Sequence, residues 1–162
     1  MQSRSFILGM LLTAISFTSV AEEPAKVGAD SLYRALVKSV AEANFEAMAA
    51  LYHPDAVLVT AKYSKPVSMV IPRWKAEGEK LKRDGGSAFL SFRFSSRLSG
   101  DNTAFDTGIF RYGTRDSKGS ENIPYVHFQD LNVKSGNQWL TLMERQMDPA
   151  SLAEWDALPT WE

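Results

Sequence analysis

Apolar residues in the first half of the chain recur at the spacing of amphipathic helices. From Asp30 to Ala43 they return at every third or fourth position, which predicts a helix with Asp30 as its N-cap. Asn44 interrupts this pattern and can cap a second short helix, which ends before Pro54 because proline cannot continue a helix. A third helix is predicted over residues 71–83, with a glycine pair just after its end. The first half of the chain is therefore predicted to supply three helices.

After the third helix the pattern changes to the alternation of apolar and polar residues that is typical of β-strands. Strands are predicted over residues 88–98, 103–114, 123–133 and 138–147, and an earlier one over residues 56–61. Turn residues separate the last four strands, which predicts three consecutive hairpins in an antiparallel meander. Helices followed by a meander are typical of the α+β class, with the N-terminal helices packed in a curved antiparallel sheet.

The N-terminal residues have the layout of a secretory signal peptide. A positive charge at Arg4 precedes an apolar stretch, and small residues before Glu22 form a cleavage site after Ala21. The predicted parts of the chain are a signal peptide (1–21), a polar lead-in (22–29), a domain (30–148) and a tail with a short helix (149–162). Export to the periplasm or the medium is expected, without membrane contact after cleavage. A retained N-terminal anchor is the alternative.

Composition excludes several classes of function. The formal net charge of −1 leaves no basic field that could hold nucleic acid. Cysteine is absent, so an exported chain must fold without disulfides, and with only two histidines a zinc site is not predicted. Because HExxH and EF-hand sequences are absent as well, neither a metal nor another cofactor is predicted.

Three stretches of the sequence resemble one known superfamily. They are AALYHPDAVLV, which ends at Val59, GDNTAFDTGIFRYG, which ends at Gly113, and YVHFQDLNVKSGNQWLTLMERQ, which ends at Gln146. Together with the order of the predicted elements, they resemble the nuclear-transport-factor-2-like (NTF2-like) superfamily, in its SnoaL-like or DUF4440-type branch. The resemblance implies a cone-shaped sheet wrapped by helices, a pocket inside the cone, and often a homodimer through the outer face of the sheet.

The resemblance does not carry over the proton-transfer residues of the ketosteroid-isomerase-like branch. That branch has a tyrosine, an aspartate base and a protonated acid at three positions, which align here with Leu36, Thr60 and Val126. None of these side chains moves a proton at neutral pH. The enolisation mechanism of that branch is therefore not predicted.

Charged residues in the last strands are the candidates for chemistry. The alignment with the superfamily implies that Glu144 and Asp130 face the cavity as candidate catalytic bases, with Gln146 and Phe128 beside them as ligand contacts. Arg111 is predicted to face the two carboxylates, either to bind an anionic ligand or to form a structural ion pair. A slip of one residue would reverse all of these directions.

Other candidates have a structural interpretation that competes with the functional one. His127 is predicted to face outward at an interface, or else to act as a catalytic base in the pocket, because histidine titrates near neutral pH. His53 is predicted to have only a local role beside Pro54. Trp74 and Tyr33 are either core residues or ligand-binding residues.

Three functions are compatible with these patterns. The leading prediction is an exported domain that binds a small organic ligand in its cone. The first alternative is a cofactor-free isomerase, cyclase or hydratase that uses Glu144 or Asp130 as base with Arg111. The second is a dimeric assembly domain that binds a partner through the outer sheet face. A hollow cone that contains an unpaired carboxylate with a perturbed pKa favours an enzyme. A hollow cone without such a group favours a binding protein, and a cone filled by side chains favours an assembly domain.

Overall fold

The computed structural model describes residues 28–161 of the chain. The predicted signal peptide, residues 1–21, and most of the lead-in lie outside the described residues, so export stays a prediction. Among residues 28–161, no helix is long and apolar enough to cross a membrane.

The first three helices form where the apolar periodicity predicts them. They are α1 (Asp30–Ala41), α2 (Phe45–Ala49) and α3 (Ile71–Arg83), and a 3-10 turn, Val67–Met69, precedes α3. The Asn44 side chain caps α2 by accepting a hydrogen bond of 3.0 Å from the backbone N–H of Ala47. The predicted cap at Asp30 is wrong by one position, because Ala29 is the N-cap of α1.

Seven strands form one curved, mixed sheet. They are β1 (Tyr52–Val59), β2 (Ser64–Pro66), β3 (Ser87–Ser99), β4 (Thr103–Arg115), β5 (Glu121–Asn122), β6 (Tyr125–Ser135) and β7 (Gln138–Ala150). The sheet order is β2-β1-β7-β6-β4-β3, with β5 paired to β4. The predicted antiparallel meander is present, but β1 pairs in parallel with β7, so the sheet is not antiparallel throughout. The α+β class, with helices packed in a curved sheet, is confirmed.

The segment around Pro54 enters the sheet earlier than predicted. Strand β1 begins at Tyr52, so Pro54 lies inside a strand rather than before it. The pairing of β1 with β7 is irregular between Tyr52 and Val57, which accommodates a residue without an N–H group. His53 Nδ1 accepts a hydrogen bond of 3.1 Å from the backbone N–H of Asp55, which confirms a local structural role for His53.

The core lies between α1 and the concave face of the sheet. The buried residues of α1 are Leu32, Tyr33, Leu36, Ser39 and Val40. The Tyr33 ring packs edge-on against Phe92 and Phe94, with centroid distances of 4.8 and 4.9 Å, and Phe128 packs 5.5 Å from Phe92. Such aromatic pairs contribute about 0.5–1.5 kcal/mol each beyond the burial of their area. This cluster holds α1 across the sheet.

The C-terminal helix α4 (Leu152–Ala157) covers part of the outer face of the sheet. Trp155 is buried there, with its ring centroid 5.6 Å from that of Tyr125, and Arg93 Nη1 donates a 2.7 Å hydrogen bond to its carbonyl oxygen. Leu152, at the start of this helix, is 57 % exposed because the short helix turns Trp155 toward the sheet instead. A homodimer through this face stays a prediction, and a second copy would have to bind beside α4.

Candidate functional site

The concave face of the sheet and helices α1, α2 and α3 enclose a cavity of about 310 Å³. The aliphatic part of its lining consists of Leu36, Val40, Met48, Leu90 and Val126. The aromatic part consists of Phe45, Tyr52, Trp74, Phe92, Phe110, Tyr112 and Phe128. The polar part consists of Glu77, Asp130, Thr141, Glu144 and Gln146. The cone is therefore hollow, and β6 and β7 supply most of its polar groups.

Glu144 on β7 is held by two hydrogen bonds at the polar end of the cavity. The Tyr52 hydroxyl donates to Oε2 at 2.7 Å, and the Gln146 side-chain amide donates to Oε1 at 2.6 Å. Burial raises the pKa of Glu144, and the two donors oppose that rise because they stabilise the charged form. Both oxygens of Glu144 are thus oriented by donors.

Asp130 on β6 lies directly opposite Glu144 in the pairing of β6 with β7. Asp130 is 4 % exposed, and its Oδ1 has no hydrogen-bond partner among residues 28–161. Burial raises the pKa of Asp130 well above its ordinary value, and the charge of Glu144 raises it further. Two adjacent carboxyl groups repel each other when both are charged, which favours the neutral form of Asp130.

The hydrogen bonds around Tyr33 join Asp130 to Asp106 and Asn132. Its hydroxyl oxygen is 3.0 Å from Asp106 Oδ2, 3.2 Å from Asp130 Oδ2 and 3.1 Å from the Asn132 amide nitrogen. A phenol has one proton and can donate to only one of two carboxyl groups. Arg97 Nε donates to Asp106 Oδ1 at 2.8 Å, which pairs Asp106 with a permanent positive charge. The Tyr33 hydroxyl can therefore donate to Asp130 Oδ2, and this bond lowers the pKa of Asp130, against the effect of burial.

Tyr33 and Tyr52 act as neutral donors in this site. Burial raises the pKa of both hydroxyls well above its ordinary value, and the negative charges of the neighbouring carboxyl groups raise it further. Neither tyrosine therefore acts as a base at neutral pH, and both orient the carboxyl groups that they contact.

A buried network of hydrogen bonds supports the polar end of the cavity. Arg97 Nη1 donates to Asp30 Oδ1 at 2.6 Å, and the Trp161 indole N–H donates to the same oxygen at 3.1 Å. Thr141 Oγ1 donates to Asn132 Oδ1 at 3.1 Å. The network joins α1, four strands of the sheet and the C-terminal segment, so elements far apart in the chain fix the position of the site.

Most of the predicted site residues are brought together by the fold. Those that line the cavity are Asp130, Glu144, Gln146, Phe128 and Trp74. Tyr33 lies beneath this lining, where its hydroxyl contacts Asp130. Their roles in binding or catalysis stay predictions.

Arg111 lies outside the cavity, and the prediction that it faces the two carboxylates is wrong. Its guanidinium lies over the outer face, 5.1 Å from the ring centroid of Trp155. The pairing of β4 with β6 places Phe110 opposite Val126. Phe110 and Tyr112 therefore face inward, and Arg111, which lies between them, faces outward.

His127 faces outward, as the strand alternation predicts. Its Nε2 lies 3.3 Å from Glu154 Oε1 on α4, and its side chain is 34 % exposed. The alternative of a catalytic base in the pocket is therefore wrong. The three positions aligned with the ketosteroid-isomerase-like branch supply no proton donor either, since Leu36 and Val126 are aliphatic cavity walls and Thr60 bonds to its own turn.

Sequence reasoning misses Tyr52, Asp106 and Arg97. The side chains of Asp106 and Arg111 lie on opposite faces of β4. A prediction that turns Arg111 toward the cavity therefore turns Asp106 away from it, although the structure has the reverse. Tyr52 continues the apolar pattern of the second helix, which gives no sign that it starts a strand beside Glu144. Arg97 differs from the other arginines in its bonds to Asp106 and Asp30, and the sequence around Arg97 does not indicate these bonds.

Asp130→Asn is expected to make the stability of the protein less dependent on pH. A raised pKa means that the folded state keeps a proton that the unfolded chain has lost. The stability contributed by the neutral acid is therefore complete below the ordinary aspartate pKa, and it is lost as the pH rises toward the folded pKa. Asparagine cannot ionise, so urea unfolding at about pH 5 and about pH 8 should show a smaller loss of free energy in the variant.

Asp101→Asn provides the matched control for this measurement. Asp101 lies exposed in the turn between β3 and β4, where a charge is solvated in both states. This variant should keep the wild-type dependence on pH. If Asp130→Asn keeps it as well, Asp130 is not held neutral by burial.

No family model matches this sequence, and no curated protein matches it either. Solved structures do match. An NTF-2 like protein of unknown function from Shewanella oneidensis MR-1 is 16 % identical with a TM-score of 0.58, and the match covers 73 % of this chain and 94 % of that one. A ketosteroid isomerase-like protein from Erwinia carotovora atroseptica is 13 % identical with a TM-score of 0.51, over 75 % and 92 % of the two chains.

A third similar structure is Aln2 from a Streptomyces species. It is 13 % identical with a TM-score of 0.61, over 72 % of this chain and 84 % of that one. At such identities the likeness shows the fold alone, and this fold is that of the NTF2-like superfamily. The DUF4440-type branch stays a prediction.

Proposed function

We propose that the protein binds a small, largely apolar molecule inside its NTF2-like cone, with the polar group of the ligand at Asp130 and Glu144. The observation that carries this proposal is Asp130 Oδ1, which is buried at the cavity without a hydrogen-bond partner among residues 28–161. A buried polar atom without a partner costs about 1–3 kcal/mol. A ligand that forms a hydrogen bond with this carboxyl group removes that cost.

The volume and lining of the cavity limit the size and polarity of the ligand. About 310 Å³ lies at the lower end of the roughly 300–1,000 Å³ that is typical of ligand pockets. Aliphatic and aromatic side chains form most of the wall, and the buried carboxyl groups are confined to β6 and β7. These features support a small ligand with an apolar body and a polar group at one end.

Val126→Phe is expected to abolish ligand binding by filling the cavity. Val126 lies on the inner face of β6 and lines the cavity, so a larger side chain there occupies the space of the ligand. Compounds that raise the melting temperature of the wild type in a small-molecule screen should lose at least about tenfold in affinity for the variant. Calorimetric titration of these compounds measures the change.

Val133→Phe makes the same chemical change on the outer side of the same strand. This variant should keep the wild-type affinity for each compound. Equal weakening by both substitutions, or a wild type that binds no compound and retains none in native mass spectrometry, would contradict the proposed function.

Proton transfer to or from the bound molecule is a second candidate function. By the criterion derived from the sequence, a hollow cone with an unpaired, perturbed carboxylate favours an enzyme, and Asp130 meets that description. In this case neutral Asp130 is the general acid and Glu144, oriented by its two donors, is the general base. Arg111 has no part in it. Assaying the bound compounds for product formation separates catalysis from binding alone.

A further inference from the structure

We propose that the ligand is an organic amine, bound as its ammonium cation with the N–H groups at Asp130 and Glu144 and the apolar body against the aromatic walls. This inference rests on the proposed function, because it names the chemical class of the molecule in the same cavity. It is carried by the charge of the lining, by the unpartnered oxygen of Asp130 and by the rings beside the carboxyl groups.

The charged groups of the cavity are all acidic. Among residues 28–161, its ionisable lining consists of the carboxyl groups of Glu77, Asp130 and Glu144 and two tyrosine hydroxyls, and it contains no lysine, arginine or histidine. Glu77 is exposed on α3, Asp130 is buried and Glu144 is half-buried. An anionic ligand would meet only repulsion and no counter-charge. A cation would meet carboxyl groups both at Glu77 and at the polar end.

Arginines on the elements around the cavity are paired with other groups, and Arg73 Nε lies 3.8 Å from Glu77 Oε1 of the lining. Arg97 donates to Asp106 and Asp30 beneath the cavity. Arg145 follows Glu144 but faces the other side of the sheet, where its Nη1 donates to Gln129 Oε1 at 3.1 Å. None of these guanidinium groups bonds to Asp130 or Glu144, so a bound cation would supply a counter-charge that these arginines do not.

The aromatic residues of the cavity wall can contact both a cation and the apolar part of a ligand. The Tyr52 ring lies 6.3 Å from the Trp74 ring, and the Tyr52 hydroxyl bonds to Glu144. Phe128 lies two residues from Asp130 on the same inner face of β6. An ammonium group beside these carboxyl groups therefore lies close to aromatic rings, which attract cations when solvent is excluded.

Binding of the ammonium ion should release a proton from the carboxyl pair. The groups that face Asp130 are Tyr33 from α1, Tyr52 from β1, Asp106 from β4 and Glu144 from β7, and none of them is a cation. The neutral acid gives its proton to the solvent when a positive charge arrives beside it, and no covalent bond changes. The affinity for an amine should therefore rise with pH as long as the amine itself stays protonated.

Three compounds of nearly equal size test the charge class directly: 2-phenylethylamine, 2-phenylethanol and phenylacetate. In calorimetric titrations of the wild type near neutral pH, the amine is expected to bind at least about tenfold more tightly than the alcohol, and phenylacetate should bind most weakly. Titrations in buffers of different ionisation enthalpy should show proton release with the amine alone. If the alcohol or phenylacetate binds more tightly than the amine, the amine assignment is wrong but the proposed function stands. If none of the three compounds binds, the amine assignment is also wrong, and the wider small-molecule screen then tests the proposed function.

A pair of single substitutions in the wild-type protein completes the test. Glu144→Gln should remove the preference for the amine over the alcohol, and retained binding of the alcohol shows that the variant is folded. Glu79→Gln removes the same charge from α3 outside the cavity and should keep the preference. If Glu144→Gln still prefers the amine by the wild-type factor, the carboxyl pair does not select the cation and the inference fails.

Discussion

Gly108→Ala will destabilise the protein by about 3 kcal/mol or more, since it forces apart the backbones of two paired strands. A Cβ atom at this position would lie 2.1 Å from the carbonyl oxygen of Arg93 and 2.9 Å from the Cα of Phe94. Both are backbone atoms, so no side-chain rotation relieves the clash. The contact arises at the irregularity between Phe94 and Ser96, where β3 bends against β4. In a domain with a total stability of roughly 5–15 kcal/mol, this loss is large.

Gly100→Ala is the matched control, because it is the same chemical change in the turn that joins β3 and β4. A Cβ there would have its nearest neighbour at 3.7 Å, an ordinary van der Waals distance. Urea denaturation of both variants should give a midpoint near that of the wild type for Gly100→Ala and a much lower midpoint for Gly108→Ala. Coincident midpoints would show that the two strands separate at Gly108 without cost.

Arg97→Met is expected to cost about 3–5 kcal/mol, because it leaves the buried Asp106 carboxylate without its counter-charge. Asp106 is fully buried, and Arg97 is the cation bonded to it. The same substitution removes the bond from Arg97 to Asp30, which links the start of α1 to the sheet. Methionine keeps most of the side-chain volume, so the loss reports on charge and hydrogen bonding rather than on a cavity.

A double-mutant cycle separates the charge from the packing. Asp106→Asn added to Arg97→Met should recover much of the lost stability, since a neutral amide is less costly to bury than an unpaired carboxylate. Arg34→Met is the control, because Arg34 is 61 % exposed and lies 3.8 Å from Asp30, an arrangement worth about 0–1 kcal/mol. Equal losses for Arg97→Met and Arg34→Met, measured by urea unfolding, would show that the buried network contributes no more than a surface ion pair.

Local patterns predict the elements of this fold well, because helix and strand periodicity depend on near neighbours in the chain. The bounds of α3 agree with the prediction, and the four long strands of the meander differ from it by only a few residues. Asp130 and Glu144 are predicted correctly as cavity residues, and each lies two positions from another residue of the lining, Phe128 and Gln146 respectively.

The order of elements in the sequence by itself thus determined the α+β class, with acidic residues on the last two long strands, and the cone followed from the resemblance to the superfamily. The tertiary structure alone decided which side of β4 faces inward, because alternation gives two equivalent assignments and only the register with β6 selects one. That register put Asp106 inside and Arg111 outside. With Arg111 on the outer face, Asp130 and Glu144 have no arginine from the described part of the chain beside them in the cavity. Local spacing does not predict this result, because the burial and ion pairing of a residue depend on residues that are distant in the chain.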